Sequence, residues 1–177
     1  KGIGFLYMKE KTKIRPISFG GDQQRGMRSG TINVPGIAGL GVAAAEAYAH
    51  LADNAEHMYE LKSYFADKLQ QIGDVTINGK VGHDSAPQII SASFLGVRSE
   101  VLLHSLEDRC IYVSAGSACS SNHPSQSGTL LNIGLDHAHQ ESTLRFSFCP
   151  ETTREELDYT YGVLEELLPM LRRYTRH

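Results

Sequence analysis

The chain has 177 residues, of which 41% are hydrophobic and 21% are charged. A chain of this length and composition is expected to fold around its own core, and disordered, collagen-like and low-complexity classes are excluded. No apolar run approaches the roughly 20 residues that span a bilayer, and no secretory signal is visible, so we expect no membrane partner.

The formal net charge of −3 is unevenly distributed along the chain. Residues 1–31 carry a net charge of +5 and the remainder carries −8. A local basic segment indicates binding of a small anion or phosphate, whereas a nucleic-acid surface normally requires a basic domain. A solvated basic hairpin explains the charge equally well.

The cysteine count indicates a reducing compartment. The chain has three cysteines and no C-x-x-C pair. A disulfide framework needs an even set, so we expect reduced thiols and a cytoplasmic protein. Because the chain begins with Lys1 inside an apolar segment, we also expect it to be a fragment, a processed product or a truncated chain.

The first half of the chain predicts one strand, one long loop and a helical region. Residues 3–8 have the composition of a short strand, and residues 20–31 are too rich in glycine and serine for a regular element. Asn33 is predicted to cap a helix, and a break is expected at residues 53–54. A second helical register then follows, with apolar residues at Met58, Leu61, Phe65, Leu69 and Ile72.

From about residue 74 onward strands and helices alternate, which predicts a small sheet covered by helices. Ser99 is predicted to cap a short helix, and another short helix over 130–133 ends at Gly134. Thr152-x-x-Glu155 has the form of a capping box for a last helix with apolar residues at spacings of 4, 3, 4 and 3. Strands are predicted over residues 75–77, 88–94, 111–113 and 144–148.

Cys119 is the candidate nucleophile. It follows a predicted strand in a loop of small polar residues, which would leave its thiol accessible, although an unreactive cysteine in a surface linker fits the same pattern. His123 could serve as its base in a Cys–His hydrolase, but four residues along a loop define no geometry. Cys110 and Cys149 have strand-like neighbours and are expected to be buried packing thiols.

Two groups of residues could bind anions. Arg145 lies within an apolar predicted strand, where its guanidinium could bind a carboxylate bidentately or could be an edge charge. The loop over 20–31 offers Arg25, Arg28, the Thr31 hydroxyl and backbone N–H groups, as a phosphate site requires.

A metal site is not predicted. His137 and His139 lie two residues apart, and no cysteine or glutamate completes a usual ligand set with them.

Four segments together resemble the cysteine desulfurases, pyridoxal-phosphate enzymes of the class V aminotransferase family. They are residues 1–4 (KGIG), 25–31 (RGMRSGT), 117–120 (SACS) and 144–148 (LRFSF), and their order and spacing also match. The likeness covers essentially the whole chain. It implies an α/β fold of the fold-type I pyridoxal-phosphate-dependent transferases. The chain would hold the tail of the large cofactor-binding domain (1–52), a connecting helix (53–73) and a complete small C-terminal domain (74–177).

The resemblance also implies roles for individual residues. Cys119 matches the nucleophile that takes sulfur from L-cysteine, leaving L-alanine and a persulfide on the enzyme. Arg145 matches the arginine that binds the substrate carboxylate. Thr31 matches the threonine that donates to the cofactor phosphate of the partner subunit, which implies a homodimer, and Arg28 is expected to support that loop.

Other implications concern the cofactor and the partners. The family's Schiff-base lysine belongs upstream of Lys1, so this chain alone is expected to bind no cofactor covalently and to be inactive. The sulfur would pass to an acceptor protein, such as an iron–sulfur scaffold or a tRNA-thiolation enzyme, with no direct contact to nucleic acid. Cys149 departs from the family pattern, which usually has glycine at this position, and so does Asp22.

The sequence leaves two alternative functions open. One is a selenocysteine lyase or another class V enzyme, which need not keep the persulfide-forming thiol, so that Cys119→Ala would separate it from a desulfurase. The other is a non-catalytic fragment that folds alone and binds a partner, which predicts a stable monomer.

Overall fold

A computed structural model describes residues 2–116 and 127–174 of the chain. The chain divides into two compact units, Lys1–Leu51 and Ala52–His177, called here the first and second units. Each is described by itself below.

The first unit contains a tight turn at Gln23–Gly26 and helix α1 at Val34–Ala49. The predicted cap is confirmed, since Gly36 N donates to Asn33 Oδ1 at 3.0 Å. The strand predicted over residues 3–8 is wrong. Phe5 in this stretch is 84% exposed, and no strand pairs with the stretch among the described residues. A strand needs a partner for its backbone groups, and composition alone does not provide one.

The helix break lies earlier than the sequence predicts. Helix α1 ends at Ala49, His50 is non-helical, and helix α2 runs over Leu51–Leu69. Asp53 therefore lies in the first turn of α2, where a negative charge is favoured by the helix dipole, rather than at a break.

The second unit is built on a four-stranded antiparallel sheet with the order β1-β2-β4-β3. Strands β1 and β2 cover Val75–Asn78 and Ile89–Phe94, and strands β3 and β4 cover Ser114–Ala115 and Thr143–Ser147. The prediction of a small sheet with helices is confirmed. Its third strand is misplaced, however, because residues 111–113 form no strand and the pairing with β4 begins at Ser114.

The helices of the second unit are α2, α3 at Ser99–Glu107, α4 at Gly128–Asn132, α5 at His137–Glu141 and α6 at Arg154–Tyr174. Two predicted caps need correction. Ser99 is the first helical residue of α3, and its neighbour Arg98 occupies the cap position without a side-chain bond. The capping box of α6 is formed by Thr153 and Glu156, one residue later than predicted.

The apolar core lies on one face of the sheet in the second unit. Ile90, Ala92 and Phe94 of β2 alternate along the strand and are fully buried. Phe65 of α2 is also fully buried, and its ring lies edge-on to Phe146 of β4 at 5.2 Å between centroids. Because side chains alternate along a strand, this packing turns the intervening residues of β2 and β4 to the opposite face.

Candidate functional site

The second face of the sheet is polar, and the side chains in its buried part are hydrogen-bonded to one another. Ser93 Oγ and Thr143 Oγ1 lie 2.7 Å apart, and Asn78 Nδ2 donates to Ser93 Oγ at 2.9 Å. The Thr143 hydroxyl also donates to the carbonyl of His139 in α5 at 2.6 Å. The buried polar groups at this end of the face are therefore hydrogen-bonded to one another.

Arg145 lies on the same face but is exposed. The strand register places it directly opposite Ser91 of β2 on one side and Ser114 of β3 on the other. Its Nη2 donates to Ser114 Oγ at 3.3 Å. Within the described residues this is its one hydrogen bond, so most of the five N–H donors of the guanidinium remain available to an exposed carboxylate.

Cys119 and His123 lie in residues 117–126, outside the described part of the chain. The residues that flank this segment are described. A Cβ built on Gly116 would lie 3.3 Å from Cβ of Ser127, so the two flanks adjoin. The preceding flank is β3, whose Ser114 pairs with Arg145. Gly116 and Ser127, the described residues on either side of this segment, thus lie next to each other at the end of strand β3.

The glycine-rich loop lies in the first unit. Ser29 is buried there and donates through Oγ to the carbonyl of Gly21 at 2.7 Å, while Gly30 N donates to Gln23 Oε1 at 3.1 Å. Arg28 donates through Nη1 to the carbonyl of Ser29. Gly30 has a φ of +111°, a conformation that L side chains rarely adopt.

Arg28 and Thr31, the two candidate phosphate ligands, are exposed on this loop. The Thr31 hydroxyl makes no hydrogen bond among the described residues. A guanidinium, a free hydroxyl and backbone N–H groups are the donors that suit a phosphate, so the loop fits the phosphate end of the implied cofactor. Arg28 and Thr31 belong to the first unit, whereas Arg145 belongs to the second.

The prediction that the other two cysteines are buried is wrong. Cys110 and Cys149 are both exposed free thiols. Cys110 follows the end of α3 in a turn with φ of +59°, and Cys149 comes after β4 has ended at Ser147. The strand-like neighbours that suggested burial do not form strands at these two positions. Cys149 is not among the residues with positive φ, so its backbone accommodates a side chain at the position where the resemblance implies glycine.

His139 belongs to a local structure at the start of α5. His139 Nδ1 lies 2.8 Å from Asp136 Oδ1, and the same oxygen accepts from the backbone N–H of His139 at 2.9 Å. The backbone hydrogen bond, followed by the side-chain one, lowers the pKa of Asp136, which caps α5. In residues 2–116 and 127–174 no group of three or more histidine, cysteine or acidic residues is arranged to hold a metal ion. Over the same residues no helix combines the length and apolarity needed to cross a bilayer.

The sequence reasoning missed Ser114. Its position beside Arg145 depends on pairing between strands 31 residues apart. The alternation of small polar and apolar residues in β2 was the available signal, because it indicates a sheet with one polar face.

Comparison with known proteins agrees with the sequence resemblance. The family model for class-V aminotransferases matches residues 1–160. The chain is 38% identical over 175 residues to a cysteine desulfurase IscS of Dictyoglomus turgidum, covering 97% of this chain and 44% of that protein. A cysteine desulfurase IscS of Escherichia coli is 37% identical, covering 97% of this chain and 42% of the relative.

Solved structures give the same result for the fold. A NifS-like protein superposes with a TM-score of 0.79 at 34% identity, covering 93% of this chain and 42% of that chain. The cysteine desulfurase CsdA of Escherichia coli, at 23% identity and a TM-score of 0.65, shares the fold over 84% of this chain and 34% of its own. These neighbours are fold-type I enzymes, which confirms the predicted fold class, and the chain spans less than half the length of each. The chain therefore belongs to the class-V aminotransferase family, and the relatives it resembles within that family are cysteine desulfurases.

Proposed function

We propose that this chain is the C-terminal part of a cysteine desulfurase. The reaction would remove sulfur from L-cysteine, giving L-alanine and a persulfide on Cys119. The observation that supports it best is Arg145, an exposed guanidinium on a polar sheet face, whose strand pairs with β3, the last described strand before Cys119 in the sequence. The substrate carboxylate and the nucleophile would then come from adjacent parts of the fold.

The residues of this chain would have the following roles in the proposed reaction. Arg145 would bind the carboxylate of L-cysteine through two N–H donors and so orient the substrate sulfur. The Cys119 thiolate would attack that sulfur and form a new S–S bond while the bond between Cβ and sulfur breaks. The electron pair of the broken bond stays with the substrate carbon, which takes up a proton to give alanine.

The proposed cofactor is pyridoxal phosphate, which the class-V enzymes use. When bound, it supplies an electron sink that makes cleavage at the β-carbon accessible. Thr31 and Arg28 would hold its phosphate, with Thr31 acting on the cofactor of the partner subunit in a homodimer. No residue of this chain matches the Schiff-base lysine of the family, so the 177-residue chain mixed with pyridoxal phosphate is expected to release no alanine.

The domain assignment is part of the same proposal. Residues 1–52 would form the tail of the large domain, 53–73 the connecting helix and 74–177 the small domain. Helix α2 places Leu61, Phe65 and Leu69 in the core of the second unit, which supports a firm attachment of the connecting helix to the small domain. The proposed setting is the cytoplasm, with an iron–sulfur scaffold or a tRNA-thiolation enzyme as the sulfur acceptor.

Mass spectrometry of the holoenzyme tests the proposal. The polypeptide encoded by the whole gene, including whatever precedes Lys1, is incubated with L-cysteine and digested. We expect alanine release and one additional sulfur atom on the peptide that contains Cys119. Cys119→Ala should abolish both signals, and Cys149→Ala, which removes an exposed thiol outside the proposed site, should leave both intact. An unmodified Cys119 in protein that carries the cofactor would instead indicate a selenocysteine lyase or another class V enzyme.

A further inference from the structure

Arg145 lies between two serines, and only one of them is hydrogen-bonded to it. The register pairs it with Ser91 of β2 and with Ser114 of β3. The Ser114 hydroxyl accepts from Arg145 Nη2 at 3.3 Å. The Ser91 hydroxyl accepts instead from Asn78 Nδ2 at 3.3 Å. Two chemically identical neighbours therefore differ in whether they hold the guanidinium.

This hydrogen bond matters because the arginine side chain is long and its guanidinium is exposed. An arginine side chain loses considerable rotamer freedom when it is fixed in one orientation, and this cost falls on ligand binding unless the free protein already restrains the side chain. A single acceptor on a strand restrains one end of the guanidinium. The remaining N–H groups have no partner within residues 2–116 and 127–174, and a carboxylate could bind them.

We propose that Ser114 is a positioning residue that orients the Arg145 guanidinium for the substrate carboxylate. This inference rests on the proposed function and extends it to a residue outside the nucleophile and the carboxylate ligand. Ser114 is also part of the strand that leads into the segment containing Cys119. Strand β3 therefore contains the hydroxyl that holds Arg145, and it precedes Cys119 in the sequence by a few residues.

The test uses the holoenzyme and three variants. Ser114→Ala removes the acceptor, and Ser114→Thr keeps a hydroxyl and suits a strand. Ser91→Ala removes the matched hydroxyl that is hydrogen-bonded to Asn78 rather than to Arg145. For each variant we would measure kcat and KM for L-cysteine. We would also measure inhibition by L-alanine, which has the carboxylate, and by cysteamine, which has the amine and thiol of cysteine but no carboxylate.

Ser114→Ala is expected to raise the KM for L-cysteine about three- to ten-fold, with kcat changed by less than about two-fold. Inhibition by L-alanine should weaken in proportion, and inhibition by cysteamine should not change. Ser114→Thr and Ser91→Ala should both resemble the wild type.

Two results would overturn the role of Ser114 while leaving the desulfurase intact. One is that the wild type is active and the KM for L-cysteine is the same in Ser114→Ala and Ser91→Ala. The other is an equal loss of L-alanine and cysteamine binding in Ser114→Ala, which would indicate a general distortion of the site. A holoenzyme that forms no alanine at all would overturn the proposed function itself.

Discussion

Replacing Phe65 by alanine should remove a large part of the stability of the second unit. Phe65 is fully buried, and its ring meets Phe146 at 5.2 Å and Phe148 at 6.3 Å, both edge-on. A buried Phe→Ala change costs about 3–5 kcal/mol, and each edge-to-face ring pair adds roughly 0.5–1.5 kcal/mol beyond burial, so the upper half of that range is expected. Against a total of roughly 5–15 kcal/mol, this leaves the unit marginal.

Urea unfolding of the chain, followed by circular dichroism, measures this loss. With a slope of roughly 1.5–2 kcal/mol per molar urea, a loss of about 4 kcal/mol lowers the midpoint by about 2–3 M. Phe5→Ala is the matched control, because Phe5 is 84% exposed and the same deletion there should cost less than about 0.5 kcal/mol. A loss below about 1.5 kcal/mol for Phe65→Ala, at an unchanged slope, would refute the core packing that turns Arg145 to the polar face.

Two further predictions concern α6. Thr153 Oγ1 accepts from Glu156 N at 3.3 Å while Glu156 Oε2 accepts from Thr153 N at 2.9 Å, so Thr153→Ala should lower the free energy of unfolding by about 1 kcal/mol. Thr153→Ser keeps the acceptor, and equal urea midpoints for the two variants would contradict the cap. Hydrogen bonds from Lys68 and then Tyr64 lower the pKa of Asp158. The ionised carboxylate therefore stabilises the folded state above the ordinary aspartate pKa of about 4, and this stabilisation is lost as pH falls through the lowered pKa of the folded state. The Tm difference between wild type and Asp158→Asn should therefore be measurable near about pH 6 and should vanish in strong acid, and a pH-independent difference would argue against this linkage.

Elements with local signals were predicted well. The spacings of 4, 3, 4 and 3 in the last helix correspond to a helix whose Leu157, Leu164 and Leu168 are buried. The cap at Asn33 was also identified, because its hydrogen bond spans only three residues. Such signals depend on neighbours within one or two helical turns, and the sequence displays those directly.

Strands β1, β2 and β4 lie where the sequence predicts them, whereas two other predicted strands find no partner. Residues 111–113 have a stronger strand composition than Ser114 and Ala115, yet only the latter pair with β4. Residues 3–8 have the composition of a strand and form none. Strand identity depends on which backbone supplies the hydrogen-bond partners, and that is a property of the assembled sheet.

The sequence by itself therefore indicated the family, through the resemblance of four segments, and it singled out Cys119 and Arg145 as the candidate nucleophile and carboxylate ligand. Only the tertiary structure decided that Arg145 faces away from the core, that Ser114 rather than Ser91 is hydrogen-bonded to it, and that Cys110 and Cys149 are exposed. The physical reason is the range of the interactions. Side-chain alternation and helical period are local, whereas a hydrogen bond between residues 31 apart exists only after two strands have paired in one register.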